Sequence, residues 1–311
     1  MNFPYLINKI DSNVLQKLFD YKYNLKVICD KNIKNFSKFK EKIYVIEENY
    51  YKVSSLNKIT DFFSQRTRMH CATKGNISPY AYFIEHKNKL NAIKDPFKRR
   101  KIILKNAKDC SLFNITRCIS LMRFLFKDPT NKKWLDPSSG WGDRLIASLV
   151  LNMEYHGNDP SEKMETVYKH IVKHFNKNSE KHFVIKQPFE QANLNKNYYD
   201  VVFTSPPFYD TEIYNLEESQ SITNKSYDQW INDFFLVMIQ KSYESLKYEG
   251  YLVLYYEDKI LEAQKLNVVE EIPRLIKTKL NYNYLGALNF KYDDVDKVRK
   301  FMVWQKHEMV K

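Results

Sequence analysis

The sequence predicts an α/β protein. Its core is a doubly wound, mostly parallel sheet with an antiparallel final strand, preceded by a basic, mainly helical N-terminal domain. Three observations predict this. From Lys132 onward, short apolar strands alternate with helical segments, the pattern of a parallel sheet covered by helices on both faces. One of those strands runs into a turn with two glycines within three residues, and another stops at two consecutive prolines. Before about residue 110, helical patterns and lysines dominate.

Charge divides the chain at the same place. Its 311 residues include 50 Lys and Arg against 37 Asp and Glu, a net charge of +13. Residues 1–110 hold 23 basic and 10 acidic side chains, whereas residues 111–311 hold 27 of each. A coding bias toward Lys, Asn, Ile and Tyr would act on both parts, so residues 1–110 are expected to face a polyanion. Within them, 43–53 reads as a strand and Leu56 to His70 as a helix. Thr73-Lys74-Gly75-Asn76 reads as a turn and Pro79 as the first residue of another helix. Helical patterns follow over 97–108 and 111–126, with a domain boundary near residue 110.

The alternating part places strands at 132–136, 153–158, 182–186 and 199–204. A long helix over 227–247 precedes a strand at 250–256 and a helix at 268–280. Strand-like runs at 282–290 and 300–305 close the chain and can pair as an antiparallel hairpin. No run of about eighteen apolar residues and no apolar leader is present, which predicts a soluble, cytoplasmic protein, with phage or viral origin compatible with the composition. The four cysteines, Cys29, Cys71, Cys110 and Cys118, lack metal-ligand spacing and read as free thiols in a reducing compartment; no metal is expected.

Chemistry concentrates at two strand ends. The chain has only six glycines, and Gly140 and Gly142 fall just after the strand ending at Asp136. That spacing allows a tight turn and close approach of backbone to a ligand at the N-terminus of the next helix. Asp159 follows the second strand at the distance where such folds place an acid on ribose hydroxyls; standing before Pro160, it also suits a helix cap. Leu145 occupies the third glycine position of the pyrophosphate fingerprint, which favours a nucleoside cofactor without phosphates over NAD or FAD. The second strand end is Ser205-Pro206-Pro207-Phe208. Prolines cannot continue a strand and carry no N–H, so local carbonyls remain able to accept hydrogen bonds from an amine. The ring that follows can stack on a flat substrate, so this is a site for a planar molecule bearing an exocyclic amine.

Asp136-Pro137-Ser138-Ser139-Gly140-Trp141-Gly142-Asp143-Arg144-Leu145, taken with Thr204-Ser205-Pro206-Pro207-Phe208, resembles the S-adenosylmethionine-dependent DNA amino-methyltransferases over roughly residues 111–306. The resemblance implies a Rossmann-like class I methyltransferase sheet, S-adenosylmethionine as cofactor and double-stranded DNA, with a flipped-out target base, as partner. Carried over, Asp136, Pro137, Ser138, Gly140 and Gly142 would form the methionine pocket and Asp159 would bind the ribose. Glu190 or Gln187 would meet the adenine edge. Arg117 would pair with the methionine carboxylate or be an ordinary helix-surface residue. Ser205, Pro206, Pro207 and Phe208 would receive the target amine; serine at the first position resembles enzymes acting on N4 of cytosine more than those acting on N6 of adenine.

The segment 209–233 holds six acids and one lysine, so phosphate contacts are expected from residues 1–110 instead. Candidates are Arg66, Arg68, Lys74 and the Lys98-Arg99-Arg100-Lys101 run, making residues 1–110 the candidate recognition region and 111–311 the methyltransferase domain. Two other readings stay open at this point. RNA-guanine and protein-glutamine amino-methyltransferases share the motif order with Asn in place of Ser205, and an inactive methyltransferase-like scaffold that binds nucleic acid would keep the fold alone.

Overall fold

The computed structural model describes residues 3–5, 10–28, 43–48, 50–207, 209, 212–214, 226–255, 276, 282–292 and 295–307. The first part of the chain forms α1 (Ser12–Phe19), β1 (Asn24–Ile28), β2 (Ile43–Glu48), α2 (Tyr50–Arg68), β3 (Ala72–Thr73), α3 (Pro79–Glu85), α4 (Lys87–Asn91), α5 (Pro96–Asn106) and α6 (Ile115–Leu125). Then come β4 (Lys133–Asp136), α7 (Asp143–Val150), β5 (Glu154–Asn158), α8 (Glu162–His174), β6 (His182–Ile185), a 3₁₀ turn (Phe189–Gln191), β7 (Tyr199–Thr204) and β8 (Glu212–Ile213). The remainder forms α9 (Tyr227–Gln229), a π-helical turn (Trp230–Phe235), α10 (Leu236–Ser245), β9 (Leu246–Tyr255), β10 (Tyr282–Tyr292) and β11 (Val295–Lys306).

Nine strands form one sheet in the order β1-β2-β10-β11-β9-β7-β4-β5-β6. Strands β6, β5, β4, β7 and β9 are mutually parallel, while β11 runs antiparallel to both β9 and β10. The seven strands from β6 to β10 therefore form the expected Rossmann-like class I methyltransferase sheet, including the reversed final strand. The closing hairpin is present, with β11 inserted between β10 and β9. Sequence order reverses at β4, whose neighbours are β5 on one side and β7 on the other. In open α/β sheets, ligands bind beyond the carboxyl ends of the strands at such a point. Here β4 leads into the glycine turn and β7 into the proline pair. Trp134 of β4 couples these strands: it is fully buried, its Nε1 donates to the Phe203 carbonyl at 3.0 Å, and its ring stacks on Phe203.

Residues before 110 join the same sheet and the same core. Strand β2 pairs in parallel with β10, and Leu18, Ile46, Leu56 and Ile59 pack in one apolar cluster with Ile119, Leu145 and Val201. The change in charge near residue 110 is thus not a break in packing. The single helix expected over 227–247 is broken by the π turn and ends at Ser245, with β9 starting at Leu246. One extra residue per turn, characteristic of π segments, accompanies burial of Trp230, Phe234 and Phe235 in the second core cluster. The strand expected to reach residue 53 ends at Glu48, because Tyr50 already begins α2. The helix expected over 268–280 lies outside the described residues except for Ile276. No helix among the described residues is long and apolar enough to cross a membrane, and no group of three or more His, Cys, Asp or Glu among them could hold a metal ion.

Candidate active site

Strand β4 delivers Asp136 to the floor of the glycine turn, where it is completely buried. Its Oδ2 accepts from Arg144 Nε at 2.6 Å and from the Tyr155 hydroxyl at 2.6 Å, and its Oδ1 accepts from the Ser138 N–H at 3.2 Å. Arg144 also donates to the Ser138 carbonyl. The Asp136 charge is met by a buried arginine, and Asp136 anchors the turn. Gly140 and Gly142 take φ of +61° and +94°, left-handed values at which a side chain is strained. Behind the turn, a Cβ on Gly157 of β5 would run into Ser139 Oγ, so the close approach of β5 to the loop depends on that glycine.

The first residue of α7 ties the turn to the N-terminal part of the chain. Asp143 Oδ1 accepts from the Thr60 hydroxyl of α2 at 2.6 Å and Oδ2 from the Phe113 N–H at 3.3 Å. Burial pushes the Asp143 carboxyl up to about 6. The native state therefore holds a proton on Asp143 that the unfolded chain, with a carboxyl near 3.8, has already released. Between about pH 4 and pH 6 this group adds stability as pH falls and withholds it as pH rises. Asp143→Asn is expected to flatten that part of the stability profile, read from denaturant midpoints across the window.

At the end of β5, Asp159 closes a tight turn rather than capping the next helix. Its Oδ1 accepts from the Ser161 N–H at 2.8 Å, and Ser161 is the cap of α8. Its Oδ2 is within hydrogen-bond distance of the Gly140 N–H (3.2 Å) and the Tyr168 hydroxyl (2.7 Å). Burial raises its carboxyl to about 6. Asp159 thus stands beside the glycine turn, linked to it directly.

Three buried polar atoms near the strand ends have no hydrogen-bond partner among the described residues: Asn158 Nδ2 after β5, Glu190 Oε2 after β6 and Thr204 Oγ1 at the end of β7. Leaving such an atom unpaired costs about 1–3 kcal/mol, and a bound nucleoside would supply partners. Together Asn158 and Glu190 offer one donor and one acceptor, the combination an adenine edge requires. The chain's residues therefore fit the expected cofactor at this edge. Gln187 lies between β6 and the 3₁₀ turn, its N–H bonded to the Ile185 carbonyl. Arg117 faces inward from α6. It is buried, and its Nε donates at 2.8 Å to Glu48 of β2, which also accepts from Thr116.

Ser205 and Pro207 are half-buried and Pro206 is buried at the end of β7; Phe208 lies outside the described residues. Tyr209, directly after, has a left-handed φ of +46° and packs near Tyr227 and Trp230. Three residues later the chain is held again. β8 pairs antiparallel with β3, Thr73 opposite Glu212, and Tyr214 meets Trp141 of the glycine turn edge to face. Residues 212–214 are thereby tied to both the N-terminal part and the glycine turn.

The expected cationic residues separate into two groups. Arg68, Arg99 and Arg100 are buried. Arg68 is ion-paired with Asp61 and Asp109, and the Arg100 guanidinium lies over the Phe3 ring. The guanidinium groups of these arginines are therefore turned into the protein and not toward solvent. Arg66, which stacks on Tyr5, and Lys74, Lys98 and Lys101 are exposed.

The profile of the Eco57I restriction-modification methylase family matches residues 103–284, more than half of the chain. The chain belongs to this family. It is an S-adenosylmethionine-dependent methyltransferase, and the family match spans both the glycine turn and the proline pair. No curated protein matches the chain. Among solved structures it is similar to TrmN from Thermus thermophilus, at 12% identity and a TM-score of 0.43, covering 62% of this chain and 49% of TrmN. It therefore spans about half the length of that protein. A methyltransferase from Pyrococcus furiosus shares 19% identity at a TM-score of 0.41, covering 60% of this chain and 81% of its own. Arg144, Tyr155, Tyr168 and Asn158 escaped the sequence reading; Arg144, inside the glycine motif, and Asn158, directly before Asp159, carried a signal that could have found them.

Proposed function

We propose that this methyltransferase modifies an exocyclic amine of a base in double-stranded DNA, N4 of cytosine in preference to N6 of adenine. The observation that carries the reading is the placement of Ser205-Pro206-Pro207 at the end of β7, beside the glycine turn on neighbouring β4. An aromatic amine shares its lone pair with the ring and is a weak nucleophile. Ser205 Oγ and the Pro206 carbonyl would each accept one N–H, drawing the nitrogen toward tetrahedral geometry and localising that pair. Phe208 would stack on the extruded base, offsetting part of the unstacking cost of a few kcal/mol. The cofactor, held by the glycine turn, Asp159, Asn158 and Glu190, would supply an electrophilic methyl group. As the N–CH3 bond forms the S–CH3 bond breaks, S-adenosylhomocysteine leaves, and the surplus amine proton passes to solvent. Serine ahead of the proline pair is the feature that favours cytosine.

Acceptor class is tested by incubating the protein and labelled S-adenosylmethionine with DNA, RNA and protein in parallel. The label is expected on DNA; label on RNA or protein alone would overturn the reading. Asp159 adds a pH signature. As pH falls through about 6 its carboxylate takes up a proton and stops accepting from ribose hydroxyls. Cofactor Kd is therefore expected to be constant above neutrality and to rise as pH falls below 6. Calorimetry across that range checks it, with Asp159→Asn expected to be weak and free of this pH step.

A further inference from the structure

Helix α5 contains no acidic residue within Pro96–Asn106, and its two sides differ in kind. Arg99, Arg100 and Ile103 are buried against the rest of the protein. The outward side carries exposed Lys98, Lys101 and Lys105 together with Phe97, Ile102 and Leu104, which are 66%, 38% and 40% exposed. At 3.6 residues per turn, the lysines form one central ridge, with Phe97 and Leu104 along one border and Ile102 along the other. A helix that lies in a lipid surface has the reverse arrangement, an apolar stripe flanked by cations. A cationic ridge with apolar borders is complementary to a phosphate backbone and the base faces beside it.

We propose that the outward side of α5 docks on nucleic acid flanking the target base, the lysines on phosphates and Phe97 on a base or groove wall. The proposal rests on the nucleic-acid reading given above. Phe97 is presented rigidly: Asp95 caps the helix, its carboxylate accepting from the Phe97 and Lys98 N–H groups at 2.8 and 3.4 Å. Just past the other end of α5, the Lys108 N–H bonds the Ile77 carbonyl at 3.3 Å, beside the turn whose β3 pairs with β8 after the proline pair. One end of α5 is thus tied toward the active site and Phe97 lies at the other. The helix is about 16 Å long at 1.5 Å per residue, a span of about five base pairs at 3.4 Å each.

The test measures Kd of the full chain for an unmethylated duplex, as a function of salt, alongside its methylation. Phe97→Ala is expected to weaken binding about tenfold with an unchanged salt slope. The triple variant Lys98→Gln/Lys101→Gln/Lys105→Gln is expected to lower the slope by about 0.9 per lysine. Cofactor affinity and Tm should stay unchanged in both, because the altered side chains are exposed. Wild-type Kd and salt slope in both variants, with the wild-type protein methylating the duplex, would overturn this inference and leave the nucleic-acid reading standing. A wild-type protein that neither binds nor methylates nucleic acid would overturn both. Loss of binding to phosphatidylserine–phosphatidylcholine vesicles in the variants, with duplex binding intact, would assign the surface to lipid and also overturn the inference.

Discussion

Ser205→Ala is expected to lower kcat for methyl transfer by about 10²–10³-fold, the usual effect of removing one preorganised polar group from the reacting centre. Cofactor Kd should not change, because Ser205 follows β7 whereas the glycine turn and Asp159 follow β4 and β5. The reason is geometric. Pro206 and Pro207 leave no N–H to compete for the local acceptors, so without Oγ one amine hydrogen loses its partner and the lone pair stays in the ring. Single-turnover kinetics with calorimetry separate the two effects. A variant with normal kcat would remove Ser205 from the chemistry, and one that lost cofactor affinity would make it a structural residue.

Arg144→Met is expected to destabilise the protein by about 3–5 kcal/mol, since it leaves the fully buried Asp136 carboxylate without its counter-charge. The same change removes the donor to the Ser138 carbonyl, so the glycine turn should loosen and cofactor Kd should rise. The double variant Arg144→Met/Asp136→Asn is expected to recover part of the stability, because no unpaired charge remains. It should not recover cofactor affinity, because the brace on the turn is still missing. Denaturant unfolding and calorimetry on the three proteins check both halves.

What could be read in the sequence was chemistry written in the backbone. Gly140, Gly142, Pro206 and Pro207 restrict or free φ by their own covalent structure, so their meaning is local, and the strands before them were apolar enough to find. Partnerships were illegible because they depend on how elements pack. Nothing about Tyr155 or Tyr168 in the sequence says that their hydroxyls meet Asp136 and Asp159. Arg99 and Lys98 look alike in a basic run, yet helical phase buries one and exposes the other. The charge step near residue 110 is not a break in packing, for a related reason. Charge reports surface, whereas Ile46 and Leu56 lie in the core that also contains Leu145, and β2 extends the sheet beyond β10. The π turn at Trp230–Phe235 was hidden because an apolar helix pattern does not show where one extra residue will be accommodated.

The central claim, transfer to an exocyclic base amine at Ser205-Pro206-Pro207, is tested most directly by identifying the methylated atom. Unmethylated DNA treated with the protein and labelled S-adenosylmethionine is digested to nucleosides and analysed by mass spectrometry, with Ser205→Ala in parallel. N4-methylcytosine is expected with the wild-type chain and its near-complete loss with the variant. N6-methyladenine would retain the amine chemistry and reverse the choice of base. Cofactor binding with no label on any base amine would contradict the claim.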